Sequence, residues 1–470
     1  MNYGRKMFPI MAAAMTLAMS PISRAQTNAG AAASSAVKAD DRLWSIRMTN
    51  AFLSRHPHYV NYDTFMSWNY EEGLMLRAIW KVWKETGEKE YFDYVRRSVD
   101  SYVTNEGTIK TYNPREFRLD DITPGNAVLS LYKATKEEKY KRAAFLLRKQ
   151  MEEQPRNKDG GFWHKEIYPN QMWLNGFYMA EPFYARFAQM FNQPGDYEDI
   201  VDQFILMAKH ARDPKTGLFY HAWDASKKQK WANPITGDSP TFWGRSMGWY
   251  MMGLVDVLDY FPKENPQRDS LVSIFKGLAS SLMNYQDRKT GLWYQVVNKP
   301  QLNGNYLESS ASAMFTYAFA KGAEKGYLGG KYLSAARKAF AGLIKYEIRF
   351  DRNGEPVLMN TCGGTGLGGT PYRDGSYEYY LSVPKHDNDF KVIGAFVVAA
   401  LEIEKADSHN ANKVVCLDCY HNNEWRPDRD GREIRNHYIW EDSENTGYSE
   451  LGGVIEKLGA QWRCTCASCQ

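Results

Sequence analysis

The sequence predicts an all-α protein, an (α/α)6 barrel of six helical hairpins followed by a short C-terminal βα fragment. Apolar residues recur at helical spacing from about residue 40 to residue 404. Short polar connections join many of the helices in pairs, and twelve helices supply the six hairpins that close such a barrel. A loose glycine–aromatic repeat recurs in the longer connections. An open helical solenoid also stacks hairpins and is the alternative.

Apolar stripes and end signals place the individual helices. The stripe over residues 71–86 ends at Gly87, and Thr123 followed by Pro124 is typical of an N-cap and a first helical residue. We predict helices over residues 42–53, 68–86, 90–104, 124–134, 137–153, 174–191, 196–211, 243–260, 266–285, 306–324, 330–346 and 389–404.

The N-terminus is typical of a secretory signal peptide. Arg5 and Lys6 precede an apolar run over residues 7–19, and small residues lead to a cleavage site after Ala25. A membrane anchor is the alternative, but the run is shorter than the ~20 residues that a membrane span needs. We therefore expect a periplasmic or secreted protein with no membrane partner after cleavage. The predicted organisation is a signal peptide (1–25), a linker (26–40), the barrel (41–405), a second linker (406–413) and a partial, truncated α/β domain (414–470).

The C-terminal fragment combines a strand at residue 414 with a helix from residue 449, too little to bury a core of its own. Cys362 stands alone in the barrel, whereas the other cysteines are concentrated in this fragment. Such a cluster could hold zinc, but its C-x-C spacing and terminal position favour a disordered, oxidisable tail. We expect neither a metal nor a cofactor. The clustered cysteines are Cys416, Cys419, Cys464, Cys466 and Cys469.

The composition favours a soluble carbohydrate-active protein. Hydrophobic residues make up 43% and charged residues 24% of the chain, close to globular averages. The aromatic share is 14%, with 14 Trp and 31 Tyr, and such rings stack well on the apolar faces of sugars. The net charge of +4 gives no case for a nucleic-acid partner.

The glycine–aromatic repeat points to one end of the barrel. "KDGGFWH" at 158, "PKTGLFYH" at 214 and "RKTGLWYQ" at 288 share a polar turn, a glycine (Gly161, Gly217 or Gly291) and aromatics, with a weaker echo, "DRNGEPV", at 351. Long connections that all follow the same helix of each pair would lie together and line a cleft. The glycine-rich "CGGTGLGGTPYRDG" from Cys362 lacks a phosphate-binding pattern, and we interpret it as a loop over that cleft.

Four segments place polar or amphipathic side chains at the start of the second helix of a hairpin. Each has an ordinary explanation, because aspartates cap helices and tryptophans fill cores. Their shared position favours a sugar-binding cleft instead. The residues are Asp120 and Asp121, then His164, Trp173, Asn175 and Glu181, then His221, and lastly Trp243, Arg245 and Trp249.

Residues 68–401 resemble the unsaturated rhamnogalacturonyl hydrolases of glycoside hydrolase family 105 and, more distantly, the unsaturated glucuronyl hydrolases of family 88. The motifs are Asp120-Asp121, "GGFWH", "QMWLNGFYMAEPF", "GLFYHAWD" and "FWGRSMGWY". The resemblance implies an (α/α)6 barrel that acts on oligosaccharides left by pectin lyases, which end in a Δ4,5-unsaturated uronic acid. Such enzymes protonate C4 and add water at C5 of the enol ether, after which the ring opens and the aglycone leaves.

The resemblance also implies roles for individual residues. Asp120 matches the first active-site aspartate of the family, and Arg245 would oppose either the uronate carboxylate or a sugar hydroxyl. The expected substrate contacts are Tyr70, His164, Trp173, His221, Trp243, Arg245 and Trp249.

One position departs from the family pattern. The family reads W-L-D-G, with the aspartate as general acid/base, where this chain reads Trp173-Leu174-Asn175-Gly176. An amide cannot transfer a proton near neutral pH, and loss of this catalysis removes ~10²–10⁴-fold in rate. Three explanations remain open: an impaired enzyme or sugar-binding relative, proton transfer taken over by Asp120, or a variant in an active lineage.

The remainder of the motif set favours a hydrolase over a non-catalytic periplasmic carbohydrate-binding protein. A sugar epimerase or a different (α/α)6 glycosidase is a further alternative, although direct glycoside hydrolysis requires two carboxylates that flank the bond. A helical scaffold for protein partners ranks last because it does not explain Trp, His and Arg at hairpin starts.

Overall fold

The computed structural model describes residues 43–60 and 67–409 and two short strands near the C-terminus. Apolar stripes at helical spacing fold the described chain into α-helices, as predicted. In chain order these are α1 (Trp44–Arg55), α2 (Tyr70–Thr86), α3 (Lys89–Tyr102), α4 (Gly125–Thr135), α5 (Glu138–Glu153), α6 (Leu174–Met179), α7 (Glu181–Phe191), α8 (Asp196–Ala211), α9 (Gly244–Val257), α10 (Arg268–Met283), α11 (Ser309–Glu324), α12 (Gly330–Gly342), α13 (Tyr377–Ser382) and α14 (Phe390–His409).

The inner wall of a barrel is formed by α2, α4, α6 with α7, α9, α11 and α14. Each packs on the next, and α14 returns to pack on α2, so the ring is closed. The outer wall comprises α1, α3, α5, α8, α10 and α12. Burial agrees with this division, because every residue of α9 is buried whereas α5 buries a single stripe. The predicted (α/α)6 barrel is therefore confirmed, and the open solenoid is excluded.

All twelve predicted helices are present, with two differences in their arrangement. The helix predicted over residues 174–191 is broken at Ala180 into α6 and α7. Pro182 has no N–H to donate to the carbonyl of Tyr178, four residues earlier, so a continuous helix is disfavoured. The short helix α13 escapes prediction because six residues are too few to show a periodic stripe.

A common turn follows five of the outer helices. In each turn a backbone amide donates to a carbonyl four or five residues later, and a glycine adopts a positive φ. The predicted repeat is thus confirmed, with a correction to its first copy, where Gly160 rather than Gly161 has the positive φ. The turn glycines are Gly107, Gly160, Gly217, Gly291 and Gly354.

The long connections gather at one end of the barrel, as predicted. They lead from an outer helix into the next inner helix, for example over residues 212–243 and 348–389. The return connections are short, such as residues 87–88 and 136–137. Since successive helices of the barrel run antiparallel, the long connections all meet where the inner helices begin.

Short antiparallel strand pairs tie these connections together. The pair formed by β1 and β2 aligns Trp173 with Ala222, which brings Trp173 beside His221. The pairs are β1 (Gln171–Trp173) with β2 (Ala222–Asp224), β3 (Ile348–Phe350) with β4 (Pro356–Leu358), and β5 (Thr361–Cys362) with β6 (Lys385–His386).

The structure differs from the predictions at two places in the C-terminal part. Helix α14 continues to His409, so the predicted linker over 406–413 begins with helical residues. The helix predicted from residue 449 is incorrect over β7 (Ile455–Leu458), which pairs antiparallel with β8 (Gln461–Cys464).

Other predictions concern parts of the chain outside the described residues. These are the signal peptide and first linker, the strand at 414 and the side chains of the terminal cysteine cluster. Among the helices that the structure describes, none combines the length and the apolar character needed to cross a bilayer.

Candidate active site

His164, Tyr168, Trp173 and His221 form an aromatic cluster at the end where the inner helices begin. The ring centroids of His164 and Tyr168 lie 4.8 and 4.6 Å from that of Trp173, with planes tilted by only 14° and 21°. His221 meets the same indole edge-on at 5.3 Å. The backbone amide of Leu174 donates to the carbonyl of His221 over 3.0 Å, which joins two long connections at this point. The sequence motifs around these residues therefore converge in space.

In the aromatic cluster and the neighbouring Asn175, three side-chain polar atoms lack a hydrogen-bond partner within the described chain. They are Nδ1 of His164, Oδ1 of Asn175 and Nε2 of His221, and all three atoms are buried. A Cβ added at Gly176, the neighbour of Asn175, would lie 3.2 Å from the same His164 Nδ1. Buried polar atoms normally have partners, since each one left without costs ~1–3 kcal/mol. Such a group of atoms is a candidate binding site for a polar ligand.

Asp120 is the ionised carboxylate of the site. Its Oδ2 lies 2.5 Å from Nζ of Lys165, and its Oδ1 lies 3.5 Å from Nε2 of His164. Burial favours the neutral acid, but Lys165 and His164 outweigh it and lower the pKa of Asp120 to about 2. Asp120 is therefore a permanent anion and hydrogen-bond acceptor at neutral pH.

Asp121 has the opposite electrostatic character. Burial is the main cause that raises its pKa, to about 7, and the charge of Asp120 adds to it against the opposing effect of Arg118. Nε of Arg118 lies 3.5 Å from Oδ1 of Asp121. Two adjacent carboxyl groups with separated pKa values can hold one proton between them near neutral pH.

Both site histidines are neutral at neutral pH. Burial lowers the pKa of His164 to about 4, against the opposing effect of Asp120. Burial also places the pKa of His221 well below its usual range, with further lowering by His164. Nδ1 of His221 is 2.6 Å from the hydroxyl of Tyr380, which fixes the ring and leaves Nε2 for a ligand.

Arg245 is committed to the protein backbone. Its two terminal nitrogens donate to the carbonyls of Cys362 and Gly363, and its side chain is almost fully buried. Glu308 lies 4.0 Å from Nη1, and the guanidinium sits 4.9 Å from the Trp243 ring centroid. The predicted contact between Arg245 and a uronate carboxylate would require these donors to be released. The geometry supports a positioning role for Arg245, which anchors the start of the glycine-rich segment.

Trp243 packs against His221 of the aromatic cluster with ring centroids 4.7 Å apart, and Trp249 and Tyr70 form a second aromatic pair. Trp243 donates through Nε1 to Oε1 of Gln295 over 3.1 Å and stacks on Tyr380 at 5.6 Å. Trp249 is 1% exposed, and Tyr70 meets it edge-on at 5.9 Å. The contact of Trp243, Trp249 and Tyr70 with substrate stays a prediction.

The glycine-rich segment (residues 362–375) covers the aromatic cluster from one side, in agreement with the predicted loop over a cleft. Leu367 is fully buried and packs with Trp173 and Trp231. Nη2 of Arg373 donates to the hydroxyl of Tyr168 over 2.9 Å. The site is thus enclosed by residues from both halves of the chain.

The sequence matches the family model described as Glycosyl Hydrolase Family 88 over residues 44–407. The chain belongs to glycoside hydrolase family 88. The match runs through every inner helix of the barrel, and the predicted resemblance to families 105 and 88 is confirmed. The protein is therefore a glycoside hydrolase by family and by fold.

Individual relatives agree with the family 88 assignment. A family 105 glycoside hydrolase from C. acetobutylicum ATCC 824 is 39% identical with a TM-score of 0.75, covering 77% of this chain and 100% of its own. The unsaturated rhamnogalacturonyl hydrolase YesR of Bacillus subtilis (strain 168) is 25% identical over 305 residues, 63% of this chain and 83% of its own. The unsaturated glucuronyl hydrolase of Bacillus sp. GL1 has a TM-score of 0.57 at 16% identity, covers 77% of this chain and 95% of its own, and supports the fold alone.

Several residues of this family 88 site escape the sequence analysis. Lys165 and Tyr168 could have been identified from the sequence, because they follow His164 closely along the chain. Tyr380 and Arg373 carry no comparable signal, since they reach His221 and Tyr168 across 159 and 205 residues of sequence. Glu308 is the N-cap of α11, and its side chain accepts a hydrogen bond from the backbone amide of Ala311.

Proposed function

We propose that this family 88 protein hydrolyses oligosaccharides that end in a Δ4,5-unsaturated uronic acid. The observation that carries the proposal is the set of three buried, unpartnered polar atoms of His164, Asn175 and His221 around Trp173. Neutral imidazoles, an amide and aromatic rings that converge at one place suit a flat, half-unsaturated sugar ring. YesR of Bacillus subtilis and the unsaturated 3S-rhamnoglycuronyl hydrolase of Formosa agariphila carry names that describe such substrates.

The reaction adds water across the C4=C5 bond of the enol ether. A proton is delivered to C4, and the hydroxyl of a water molecule bonds to C5 while the water gives up its other proton. The product at C5 is a hemiketal, which opens and then releases the aglycone from C1. The protein therefore needs a proton donor, an acceptor for the water and donors that hold the ring.

The site supplies the acceptor and the ring-holding groups. Asp120 is ionised and can accept a hydrogen bond from water or a sugar hydroxyl. His164 and His221 are neutral and present one free ring nitrogen each. With a pKa of about 2, Asp120 has no proton to give at neutral pH, so it is a poor replacement for the missing acid at position 175. The neighbouring Asp121, with a pKa of about 7, is the better-poised acid among the two.

Asn175 favours a second candidate function. With an amide where the family carries its general acid/base, the protein could hold unsaturated uronyl sugars without turning them over. The remaining site residues would serve both functions equally well. We rank hydrolysis first because the carboxylate pair and both histidines are in place.

The direct test is incubation with a Δ4,5-unsaturated galacturonyl-rhamnose disaccharide. Hydration removes the ultraviolet absorbance of the enol ether, so a falling signal reports the chemistry itself. A matched unsaturated glucuronyl disaccharide compares the two substrate classes and tests the finer proposal of a rhamnogalacturonan-derived, pectin-related substrate. Binding without absorbance loss would select the carbohydrate-binding function, and neither binding nor absorbance loss would contradict both.

The proposed location is the periplasm or the exterior of the cell. The basic, apolar and small-residue pattern over residues 5–25 supports export. N-terminal sequencing of the mature protein should then begin near Gln26. Recovery of a cytoplasmic chain that still starts at Met1 would contradict this location.

A further inference from the structure

The glycine-rich segment (residues 362–375) is built to hold one arginine over the aromatic cluster. Nε of Arg373 donates to the carbonyl of Gly368 over 2.8 Å, and Gly368 and Arg373 form an isolated antiparallel bridge. A Cβ added at Gly366 would lie 2.4 Å from Nη1 of Arg373. Glycine at this position therefore leaves the space that the guanidinium occupies.

Arg373 is connected to the aromatic cluster by direct contacts. Its Nη2 donates to the hydroxyl of Tyr168 over 2.9 Å, and Tyr168 stacks on Trp173 with ring centroids 4.6 Å apart. The guanidinium is also close enough to His221 to contribute to the lowering of the pKa of that residue.

The other cations of the site have partners, although Nε of Arg245 is buried without one. Arg245 donates to two backbone carbonyls, Lys165 contacts Asp120, and Nζ of Lys391 lies 2.9 Å from Asp389. By contrast, Nη1 of Arg373 makes no hydrogen bond to any residue that the structure describes. A carboxylate that enters the site needs a charged donor that is not already committed.

We propose that Arg373 binds the carboxylate of the terminal unsaturated uronic acid through its free Nη1, while Nη2 keeps the glycine-rich segment bound to Tyr168. This proposal rests on the proposed function and assigns the acid-recognising residue of that site. Arg373 is then a specificity-determining residue, because it distinguishes a uronic acid from an uncharged sugar of the same shape.

The test compares two substrates that differ only in charge. The unsaturated galacturonyl-rhamnose disaccharide is used as the free acid and as its C6 methyl ester, with dissociation constants from calorimetry and KM from loss of the enol ether absorbance. Arg373→Gln should weaken binding of the acid by ~10-fold or more and change binding of the ester by less than ~3-fold, as expected for a lost charge-assisted hydrogen bond. Arg373→Lys keeps the charge and should retain part of the preference for the acid.

Two control variants separate carboxylate binding from closure of the segment. Tyr168→Phe removes only the bond that holds the segment and should preserve the acid-to-ester ratio. Arg349→Gln changes an exposed arginine paired with Asp387 and should leave both substrates unaffected. The proposal would be overturned if Arg373→Gln weakened binding of the acid and of the ester equally and Tyr168→Phe did the same. Arg373 would then only hold the glycine-rich segment in place. A wild-type protein that neither binds nor consumes either sugar would instead contradict the proposed function.

Discussion

Nζ of Lys165 lies 2.5 Å from Oδ2 of Asp120, and this contact decides the protonation state of the carboxylate in the proposed cleft. Burial alone would favour the neutral acid at Asp120, so its low pKa depends on Lys165 and, to a smaller extent, on His164. The residue that follows the "GGFWH" motif thus sets the charge of the residue that the family resemblance identifies first.

Lys165→Met should destabilise the fold in a pH-dependent way. The pKa of Asp120 is lowered on folding from 3.8 to about 2, so the stabilisation is fully present above pH 4 to 5 and is lost as the pH falls toward 2. We expect the variant to lose about 2 kcal/mol of unfolding free energy at pH 7. The difference between wild type and variant should shrink at pH 3.

Urea denaturation at pH 7 and pH 3 measures this difference. Lys149→Met is the matched control, because Lys149 is 67% exposed and pairs only loosely with Glu153 at 3.8 Å. Exposed pairs of this kind contribute well under ~1 kcal/mol. A Lys165→Met penalty that is the same at both pH values would show that packing, not the charge of Asp120, is the cause.

The architecture and part of the site follow from local sequence signals. Each inner helix shows its apolar stripe within one segment, and His164, Trp173 and His221 sit in glycine–aromatic motifs that recur after outer helices. Such signals need no knowledge of the closed barrel. That is why the helix pattern and the common end of the long connections are both predictable.

Contacts that depend on barrel closure are not predictable in this way. Arg245 donates hydrogen bonds to the carbonyls of Cys362 and Gly363, which lie more than one hundred residues further along the chain. From sequence alone, Arg245 therefore appears to be a free cation available to a ligand, while Arg373 appears to be part of a loop. The structure pairs Arg245 with two carbonyls and supports our proposal for Arg373, and neither contact could be predicted because hydrogen bonds to backbone carbonyls leave no trace in residue identity.

Replacement of Trp173 and Trp249 should separate binding from stability. Trp173 belongs to the aromatic cluster, whereas Trp249 packs against Tyr70 and Tyr178 in the barrel interior. Trp249→Ala should lower the unfolding free energy by ~3–5 kcal/mol, as for other large-to-small core changes. Trp173→Ala should cost less stability and weaken binding of the unsaturated disaccharide more strongly. Thermal unfolding and calorimetry with both variants check this, and the reverse order would place the cleft deeper in the barrel.

Arg245→Met should destabilise the protein strongly, because it leaves the buried carboxylate of Glu308 without a positive partner. Glu308 is fully buried 4.0 Å from the guanidinium, and the carbonyls of Cys362 and Gly363 would lose their donors. Removal of one partner from a buried ion pair costs ~3–5 kcal/mol. Arg337→Met is the control, since Arg337 is 31% exposed in its pair with Asp407 and should cost ~1 kcal/mol or less. If both variants melt alike while only Arg245→Met loses sugar binding, Arg245 is a direct ligand contact rather than an anchor.

Asn175→Asp should raise the rate at which the protein hydrolyses the unsaturated disaccharide. The side chain lies in the first turn of α6 with its Oδ1 buried and unpartnered, so a carboxyl of the same shape fits without new contacts. A group that acts only in proton transfer stabilises the transition state and not the bound sugar. We therefore expect kcat to rise by ~10²–10⁴-fold with little change in KM, and partial burial should raise the pKa of the new carboxyl toward the working range.

Steady-state kinetics of Asn175→Asp from pH 4 to pH 8, with Asp121→Asn and Asp120→Asn beside it, identify the group that handles the proton. Activity of the wild-type chain that survives Asp120→Asn but disappears in Asp121→Asn would assign the donor to Asp121, whose pKa of about 7 suits the task. Loss in Asp120→Asn alone fits an ionised acceptor for the attacking water. Equal kcat for Asn175→Asp and wild type would remove position 175 from the proton path, because an acid that reaches C4 must alter the rate. Sugar binding without turnover in every variant would leave the carbohydrate-binding function as the better description of this family 88 barrel.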